Sequence, residues 1–292
     1  MDSALARRSV RGMSFQEDVA VYDHSRWTGY LLQRLLPGCT RIVSGRADTV
    51  EDILSCLGPG CSFFIFHIDL TSARERPLAR ADLCAELSLR GVRVLNAGVE
   101  DISKRSLQRK CAEIGLPTTA AQRVGPPEEL LIVKTNLNYG GIPERVAGYA
   151  TAPGPTAEPM EYPVVSRRGL DPDTWDHPDL VVERFISDEQ DRLFRCAVLG
   201  HRRAWFRFIS AERVKRVPSD TSLMVAEETV PDAARLAVNA FISSHGCDFG
   251  AFDVLVSDEH AYIIDFNSTP VWGDGDLGPL ALLSDGLRSS KR

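Results

Sequence analysis

The sequence predicts an α/β protein made of α+β lobes, and three observations carry that prediction. Between residues 19 and 96, strand-like apolar runs alternate with amphipathic helix-like runs, the pattern of a small parallel sheet covered by helices. Near the C-terminus, two pairs of short apolar runs flank Gly200-His201-Arg202-Arg203 and Ser257-Asp258-Glu259-His260, and each pair reads as an antiparallel hairpin. Between these regions, a strand at 130–134 runs into a loop containing Gly140 and Gly141. With 292 residues, 43% hydrophobic and 25% charged, the chain has globular composition and length enough for three lobes. By area scaling it should bury about three quarters of its unfolded surface.

The N-terminal lobe is expected over 1–95, with residues 1–15 as a flexible leader. The arginines Arg7, Arg8 and Arg11 are followed by no apolar run before Gln16, Glu17 and Asp18, which is not the build of a secretory signal. Residues 19–22 predict a strand. Trp27, Tyr30, Leu31, Leu35 and Leu36 recur at helical spacing, so 26–36 predicts a helix ended by Pro37 and Gly38. Asp48 predicts the N-cap of a helix ending near Gly58, and 62–68 a buried strand. A helix at 77–90, stopped by Gly91, and a strand at 92–95 complete the lobe. The first strand leads into Tyr22-Asp23-His24-Ser25 and not a glycine-rich turn, which argues against a dinucleotide site.

The central lobe is expected over 96–186. A helix at 102–114 is closed by Gly115 and Pro117. Residues 150–180 are rich in Pro, Gly and Asp and predict an irregular connection, and 180–186 predicts a strand. The C-terminal lobe, 187–292, opens on the acidic turn Ser187-Asp188-Glu189-Gln190-Asp191. It continues with a hairpin of 193–199 and 204–209, a helix at 231–245 ended by Gly246, and a hairpin of 251–256 and 261–266. In the last hairpin, the expected alternation runs through Val254, Val256, Tyr262 and Ile264.

Charge and cysteine usage narrow the function classes. A net charge of −6 argues against a nucleic-acid backbone as main partner. No apolar run approaches the roughly 20 residues of a membrane helix. Seven scattered cysteines with no Cys-x-x-Cys pair read as reduced thiols in a cytoplasmic protein and argue against zinc. His67, after the apolar run 63–66, reads as a strand-end core histidine.

The chemistry concentrates in the last hairpin. Asp265 and Asn267 are two apart on a strand and project from one face. Asp253 lies twelve residues before Asp265 on the preceding strand, where cross-strand pairing can bring it alongside. Two carboxylates and an amide carbonyl suit Mg²⁺. The alternative is a solvated hairpin face with two unrelated acids, but both strands are otherwise apolar and burying acids there without a cation would be costly.

The segments Gly250-Ala251-Phe252-Asp253-Val254-Leu255-Val256 and Ile263-Ile264-Asp265-Phe266-Asn267-Ser268-Thr269-Pro270 resemble the C-terminal signature of the ATP-grasp superfamily. Four further segments follow in that family's order, and the resemblance covers about residues 90–273. Lys104-Arg105-Ser106-Leu107 with Gly115-Leu116-Pro117 resembles the family's lysine helix, Leu131-Ile132-Val133-Lys134 its second lysine strand, Gly140-Gly141 its phosphate-covering loop, and Val181-Val182-Glu183-Arg184-Phe185-Ile186 its adenine strand. Arg195-Cys196-Ala197-Val198-Leu199-Gly200 and the carboxylate spacing bring it closest to the ribosomal-protein glutamate ligase branch.

The resemblance implies an ATP-grasp fold, a small parallel α/β lobe followed by two α+β lobes that sandwich ATP. It implies that Lys104 and Lys134 meet the triphosphate as point cations. Gly140 and Gly141 would let backbone N–H groups close over the phosphates. Glu183 would accept from the adenine amino group, with backbone near Phe185 and Ile186 reading the ring edge. Asp191 or Glu189 would hold the ribose. Asp253, Asp265 and Asn267 would bind one or two Mg²⁺ ions, or Mn²⁺ in their place. Arg195 and Arg207, on adjacent predicted strands with Trp205, Phe206 and Phe208 as neighbours, are expected to bind the γ-phosphoryl group and, with Lys134, to form the catalytic set. Arg213, Lys215 and Arg216 form a charge run that reads as a solvated face or a substrate loop. Two positions depart from the family. Asp265 replaces its usual Glu, and Ala251 stands where the D-alanine ligase branch has Arg, which shifts weight onto Arg207.

The activity so implied is an ATP-dependent carboxylate–amine ligase working through an acylphosphate, with ADP and phosphate as products. Its partners would be small-molecule or peptide carboxylates and amines, bound near Ser268-Thr269-Pro270, Trp272 and the N-terminal lobe, in a monomer or homodimer. Two other readings stand beside it. One is a phosphotransferase acting on a hydroxyl, since inositol phosphate kinases of the superfamily also use Asp-x-Asn, though no dense basic cluster marks a polyphosphate pocket here. The other is a nucleotide-binding protein without turnover.

Overall fold

The structure is a computed structural model and describes residues 18–23, 29–43, 48–71, 79–146, 148, 162–187, 192–209, 221–272 and 278–287. The leader expected at 1–15 lies outside these residues, as do Glu189, Asp191, Arg213, Lys215 and Arg216.

The N-terminal sheet is parallel. It contains β1 (Val19–Asp23), β2 (Thr40–Val43), β3 (Phe63–His67) and β4 (Arg93–Leu95), in the order β2-β1-β3-β4. Helices α1 (Leu31–Leu35), α2 (Val50–Ser55) and α3 (Arg80–Leu89) connect the strands. Every residue of β1 and β3 is buried, which is why both read as unbroken apolar runs and not as alternating ones. The strand order reverses between β1 and β3, whose C-terminal residues Asp23 and His67 are paired. His67 is buried at this edge as expected. The expected cap of α2 moves by one residue. Thr49 accepts from Asp52 N–H and the Asp52 carboxylate accepts from Thr49 N–H, a reciprocal capping box, whereas Asp48 accepts from the Tyr22 hydroxyl at 2.8 Å.

The central sheet is antiparallel, in the order β6-β5-β7. It contains β5 (Leu130–Thr135), β6 (Val164–Ser166) and β7 (Leu180–Arg184), joined to helices α4 (Lys104–Glu113) and α5 (Ile142–Val146). β6 falls within the stretch expected to be irregular. Edge strands this short carry little sequence signal.

The C-terminal sheet is antiparallel, in the order β10-β9-β8-β11-β12. It contains β8 (Leu193–Leu199), β9 (Arg202–Ile209), β10 (Thr221–Val225), β11 (Phe249–Ser257) and β12 (His260–Asn267). Helix α6 (Asp232–His245) ends at Gly246 in the left-handed conformation. On one face of this sheet, Phe194, Cys196, Phe252, Val254, Ile263 and Phe266 pack with Phe241 of α6 and with Leu107 and Cys111 of α4. The lysine-bearing helix α4 is therefore seated on the C-terminal sheet. Toward the other face, Ala197, Leu199, Ala204, Phe206 and Phe249 share a core with Val19, Val21, Leu31 and Ile65 of the N-terminal lobe and with Leu280 and Leu283 of the closing 3-10 segment Gly278–Leu287. Among the described residues no helix is long and apolar enough to cross a membrane.

One irregularity decides which face carries Asp265. Asp253 pairs with Asp265, but the next pair is Val254 with Ile263, so Ile264 is an extra residue on β12. Strict alternation would put Asp265 on the same face as the buried Ile263. The bulge instead lets Ile263 and Phe266 both enter the core while Asp265 and Asn267 face the opposite way. The inward residues of β12 are accordingly Ala261, Ile263 and Phe266, and not the Tyr262 and Ile264 expected from simple alternation.

Asn96 clasps the N-terminal lobe to the C-terminal sheet. This fully buried residue has φ +57; its Oδ1 accepts from Phe249 N–H at 2.9 Å and its Nδ2 donates to Phe249 C=O at 2.9 Å. Asn96→Ala would orphan both buried backbone groups and place Ala in a left-handed conformation. The expected loss is about 2 to 4 kcal/mol of unfolding free energy, measured by urea denaturation. A loss under about 0.5 kcal/mol, the level of an ordinary surface substitution, would contradict this role.

Candidate active site

The site begins with Asp253 and with Asp265, which the bulge has turned to the same face. Asp253 and Asp265 are directly opposed on β11 and β12, and Arg195 is the partner of Asp253 on the other side, on β8. Arg195 grips Asp253 with both ends of its guanidinium, Nε to Oδ1 at 2.8 Å and Nη2 to Oδ2 at 3.0 Å. From α4, Lys104 reaches Asp265, with Nζ 3.6 Å from Oδ1. Burial is the largest influence and works against a charge on Lys104, but Asp265 together with Tyr162 and Glu183 outweighs it and holds the ammonium pKa above its ordinary value. Burial likewise opposes charge on Arg195, and Asp253 together with Asp265 and Tyr139 overcomes it.

A second group sits on the central sheet. Ile132, Lys134, Val181 and Glu183 share one face of β5 and β7 through their antiparallel register. Lys134 Nζ lies 2.7 Å from Oε2 of the fully buried Glu183, and the Thr119 hydroxyl donates to the same oxygen at 2.9 Å. The other oxygen, Oε1, is buried with no hydrogen-bond partner. A buried acceptor beside an apolar wall fits an amino-bearing heterocycle. Phe185 N–H is committed to Leu130 C=O at 2.9 Å, so Phe185 can offer a ring edge only its carbonyl.

The glycine loop joins the two groups. Tyr139, Gly140 and Gly141 are left-handed in succession, with φ +47, +63 and +76. Two glycines make such a turn accessible. The loop is fastened to both flanking lobes. Asn138 N–H donates to Thr71 Oγ1 at 2.8 Å, and Asn267 Nδ2 donates to the Tyr139 hydroxyl at 2.6 Å, which itself donates to Thr269 C=O at 2.9 Å. Asn267 Oδ1 accepts from Thr269 N–H at 2.9 Å. Burial pushes the Tyr139 hydroxyl up to about 12, so it stays a neutral donor at physiological pH. Behind the loop, the buried carboxylate of Glu144 accepts from Thr71 N–H at 2.6 Å.

The structure thus brings together Lys104, Arg195, Asp253, Asp265 and Asn267, with Gly140 and Gly141 tied to them through Tyr139, and sets Lys134 with Glu183. It does not bring Arg207 to them. In the β8–β9 register Phe206 stands opposite Arg195, while Arg207 stands opposite Phe194, which belongs to the core under α6. Arg207 is exposed on the face away from Asp253, so the expected γ-phosphoryl contact from it is corrected. Thr71, Tyr139 and Glu144 were not singled out from sequence. A hydroxyl, a phenol and a helix carboxylate carry no spacing signal, and only the positive φ of Tyr139 marks it.

The donor set suits a hard cation. Asp253, Asp265 and Asn267 offer oxygen atoms from adjacent strand positions, and the cations now facing the two acids show that this face requires positive charge. Among the described residues no group of three or more His, Cys, Asp or Glu side chains is arranged to hold a metal, so the amide of Asn267 is needed to complete a set of three.

Breaking the Lys134–Glu183 pair tests how far this pocket depends on it. Lys134→Met would leave a buried uncompensated carboxylate and should cost about 3 to 5 kcal/mol. Lys134→Met with Glu183→Gln should cost clearly less than the single change, read by chemical denaturation as a double-mutant cycle. Additive losses would contradict the pairing.

No model of a known protein family matches the sequence, and no curated protein matches it. Solved structures do match in shape. The ATP-grasp ligase PsnB complexed with a minimal precursor superposes with a TM-score of 0.54 at 11% identity, covering 93% of this chain and 98% of that one. D-cycloserine synthetase DcsG gives 0.51 at 14% identity, covering 92% and 97%. D-alanine–D-alanine ligase from Bacillus anthracis gives 0.51 at 12% identity, covering 92% of each chain. Identity this low speaks to architecture and not to substrate. The chain has the ATP-grasp fold.

Proposed function

We propose that the chain is an ATP-dependent ligase that joins a carboxylate to an amine through an acylphosphate. The observation that carries this reading is the meeting of Asp253, Asp265 and Asn267 with Arg195 and Lys104 on one sheet face, between a glycine loop and a buried Lys134–Glu183 pair. The neighbours in shape are named as ligases and a synthetase, and the Bacillus anthracis ligase is also known complexed with ATP, at a TM-score of 0.50 and 12% identity.

The roles follow from chemistry. Glu183 Oε1 would accept from the adenine amino group, with the Phe185 carbonyl and the Ile186 backbone at the ring edge. Ribose contact falls to Asp191 or Glu189. Lys134 and Lys104 would hold the phosphates as point charges, Arg195 would grip the γ-phosphoryl oxygens, and backbone around Gly140 and Gly141 would cover them. Asp253, Asp265 and Asn267 would hold Mg²⁺, which when bound offsets charge on the phosphates.

A carboxylate oxygen of the first substrate attacks the γ-phosphorus, and the bond to the ADP oxygen breaks. An amine nitrogen then attacks the acyl carbon, phosphate leaves, and the nitrogen loses a proton. Carboxylate oxygen is a poor leaving group and phosphate a good one, so no protein nucleophile is needed; positioning and charge compensation carry the rate. Small-molecule or peptide acids and amines are the substrate class, bound along Ser268, Thr269 and Trp272. The ring of Trp272 lies 5.1 Å from that of Phe206. The seven free thiols fit a reducing cytoplasm.

The test is a panel of paired acids and amines assayed for ADP release and ATP-dependent mass gain, with hydroxylamine as a trap for the acylphosphate. A hydroxamate should form from the productive acid, and Asp265→Ala should lower turnover about 100-fold or more. Transfer of phosphate to a hydroxyl with no hydroxamate, or full turnover in Asp265→Ala, would contradict the proposal.

A further inference from the structure

The two acids proposed to hold the metal already have internal cations. Directly opposed like charges on neighbouring strands repel, and Asp253 and Asp265 are such a pair. Arg195 engages both oxygens of Asp253, and the two side chains are only 26% and 12% exposed. Lys104, 8% exposed, faces Asp265. The third donor, Asn267 Oδ1, accepts from Thr269 N–H and from the Thr269 hydroxyl at 3.2 Å. A divalent ion approaching this face must therefore compete with a bidentate guanidinium for Asp253 and with an ammonium for Asp265.

A triphosphate changes that competition. It offers Arg195 and Lys104 alternative anionic oxygens of the geometry a guanidinium and an ammonium bind well. Each cation that moves to a phosphate oxygen frees a carboxylate for the metal. Each carboxylate taken by the metal frees a cation for phosphate. Resting on the reading of this face as the nucleotide–metal site, we propose that Arg195 and Lys104 are resident counter-ions that are handed from Asp253 and Asp265 to the triphosphate, so that metal and nucleotide bind cooperatively and each binds poorly alone. Arg195 is thereby a positioning residue for the metal carboxylates as well as a phosphate ligand. By linkage, the coupling acts equally in both directions.

The sign of the consequence is distinctive, because deleting a site residue should improve metal binding. In nucleotide-free protein, Arg195→Gln should raise Mn²⁺ affinity about 10-fold or more over wild type, measured from free Mn²⁺ by electron paramagnetic resonance. In EDTA, the same variant should bind β,γ-imido-ATP more weakly, measured by calorimetry. Arg195→Gln with Asp253→Asn should lose the gain in Mn²⁺ affinity. Lys104→Met supplies a second, independent measurement at Asp265 should Arg195→Gln fail to fold. Unchanged or weaker Mn²⁺ binding in the folded variants, with wild type still taking up the analogue only with Mg²⁺, would overturn the handover and leave the nucleotide site standing. Failure of wild type to take up the analogue with Mg²⁺ at all would overturn both.

Discussion

Two carboxylates directly opposed across an antiparallel pair repel one another, and the C-terminal half of this protein is arranged around holding Asp253 and Asp265 in that relation. The register of β11 with β12 sets the opposition, and the extra residue Ile264 turns Asp265 to the face that Asp253 already takes by plain alternation between Phe252 and Val254. β8 then delivers Arg195 by direct cross-strand pairing, and α4 delivers Lys104. The seating of α4 on the C-terminal sheet, with Leu107 and Cys111 in one core with Ile263 and Phe266, brings Lys104 within reach of Asp265.

The rest of the architecture ties the other lobes to these strands. Asn96 fixes the N-terminal lobe to β11 four residues before Asp253. The glycine loop is drawn in from the central lobe by Tyr139, whose hydroxyl is held between Asn267 and Thr269, and from the N-terminal lobe by Thr71. All three lobes thus contribute to one junction. Buried thiols play no part in it. Burial, opposed by Lys110 and reinforced by Asp248, pushes Cys247 up to about 12, and Cys111 too reaches about 12 through burial and the nearby Glu183, so both stay protonated and inert.

Much of this was legible in the sequence because the relevant signals are periodic or local. The apolar runs pointed to the parallel sheet and both hairpins, and Asp253 and Asp265 were expected alongside one another on paired strands, but only the extra Ile264 makes them direct partners, since a regular hairpin closing at Ser257 and His260 would set Asp253 opposite Ile264. What failed did so for physical reasons. Tyr262 and Ile264 were assigned inward because a bulge breaks the period of two without leaving a mark in the sequence. Arg207 was drawn toward the phosphates by its aromatic neighbours, but one step of strand alternation puts it on the far face. Asp48 and Thr49 are both good caps, and only the capping box with Asp52 separates them. The roles of Tyr139, Thr71 and Glu144 depend on contacts between lobes, which no local pattern encodes.

The most direct measurement of the central claim is a crystal structure of the chain with Mg²⁺ and β,γ-imido-ATP. The account predicts metal bound by Asp253, Asp265 and Asn267, Arg195 turned onto the phosphates, and the adenine amino group hydrogen-bonded to Glu183 Oε1. Nucleotide bound elsewhere, or bound here with the Arg195–Asp253 pair intact and no metal on these oxygens, would contradict it.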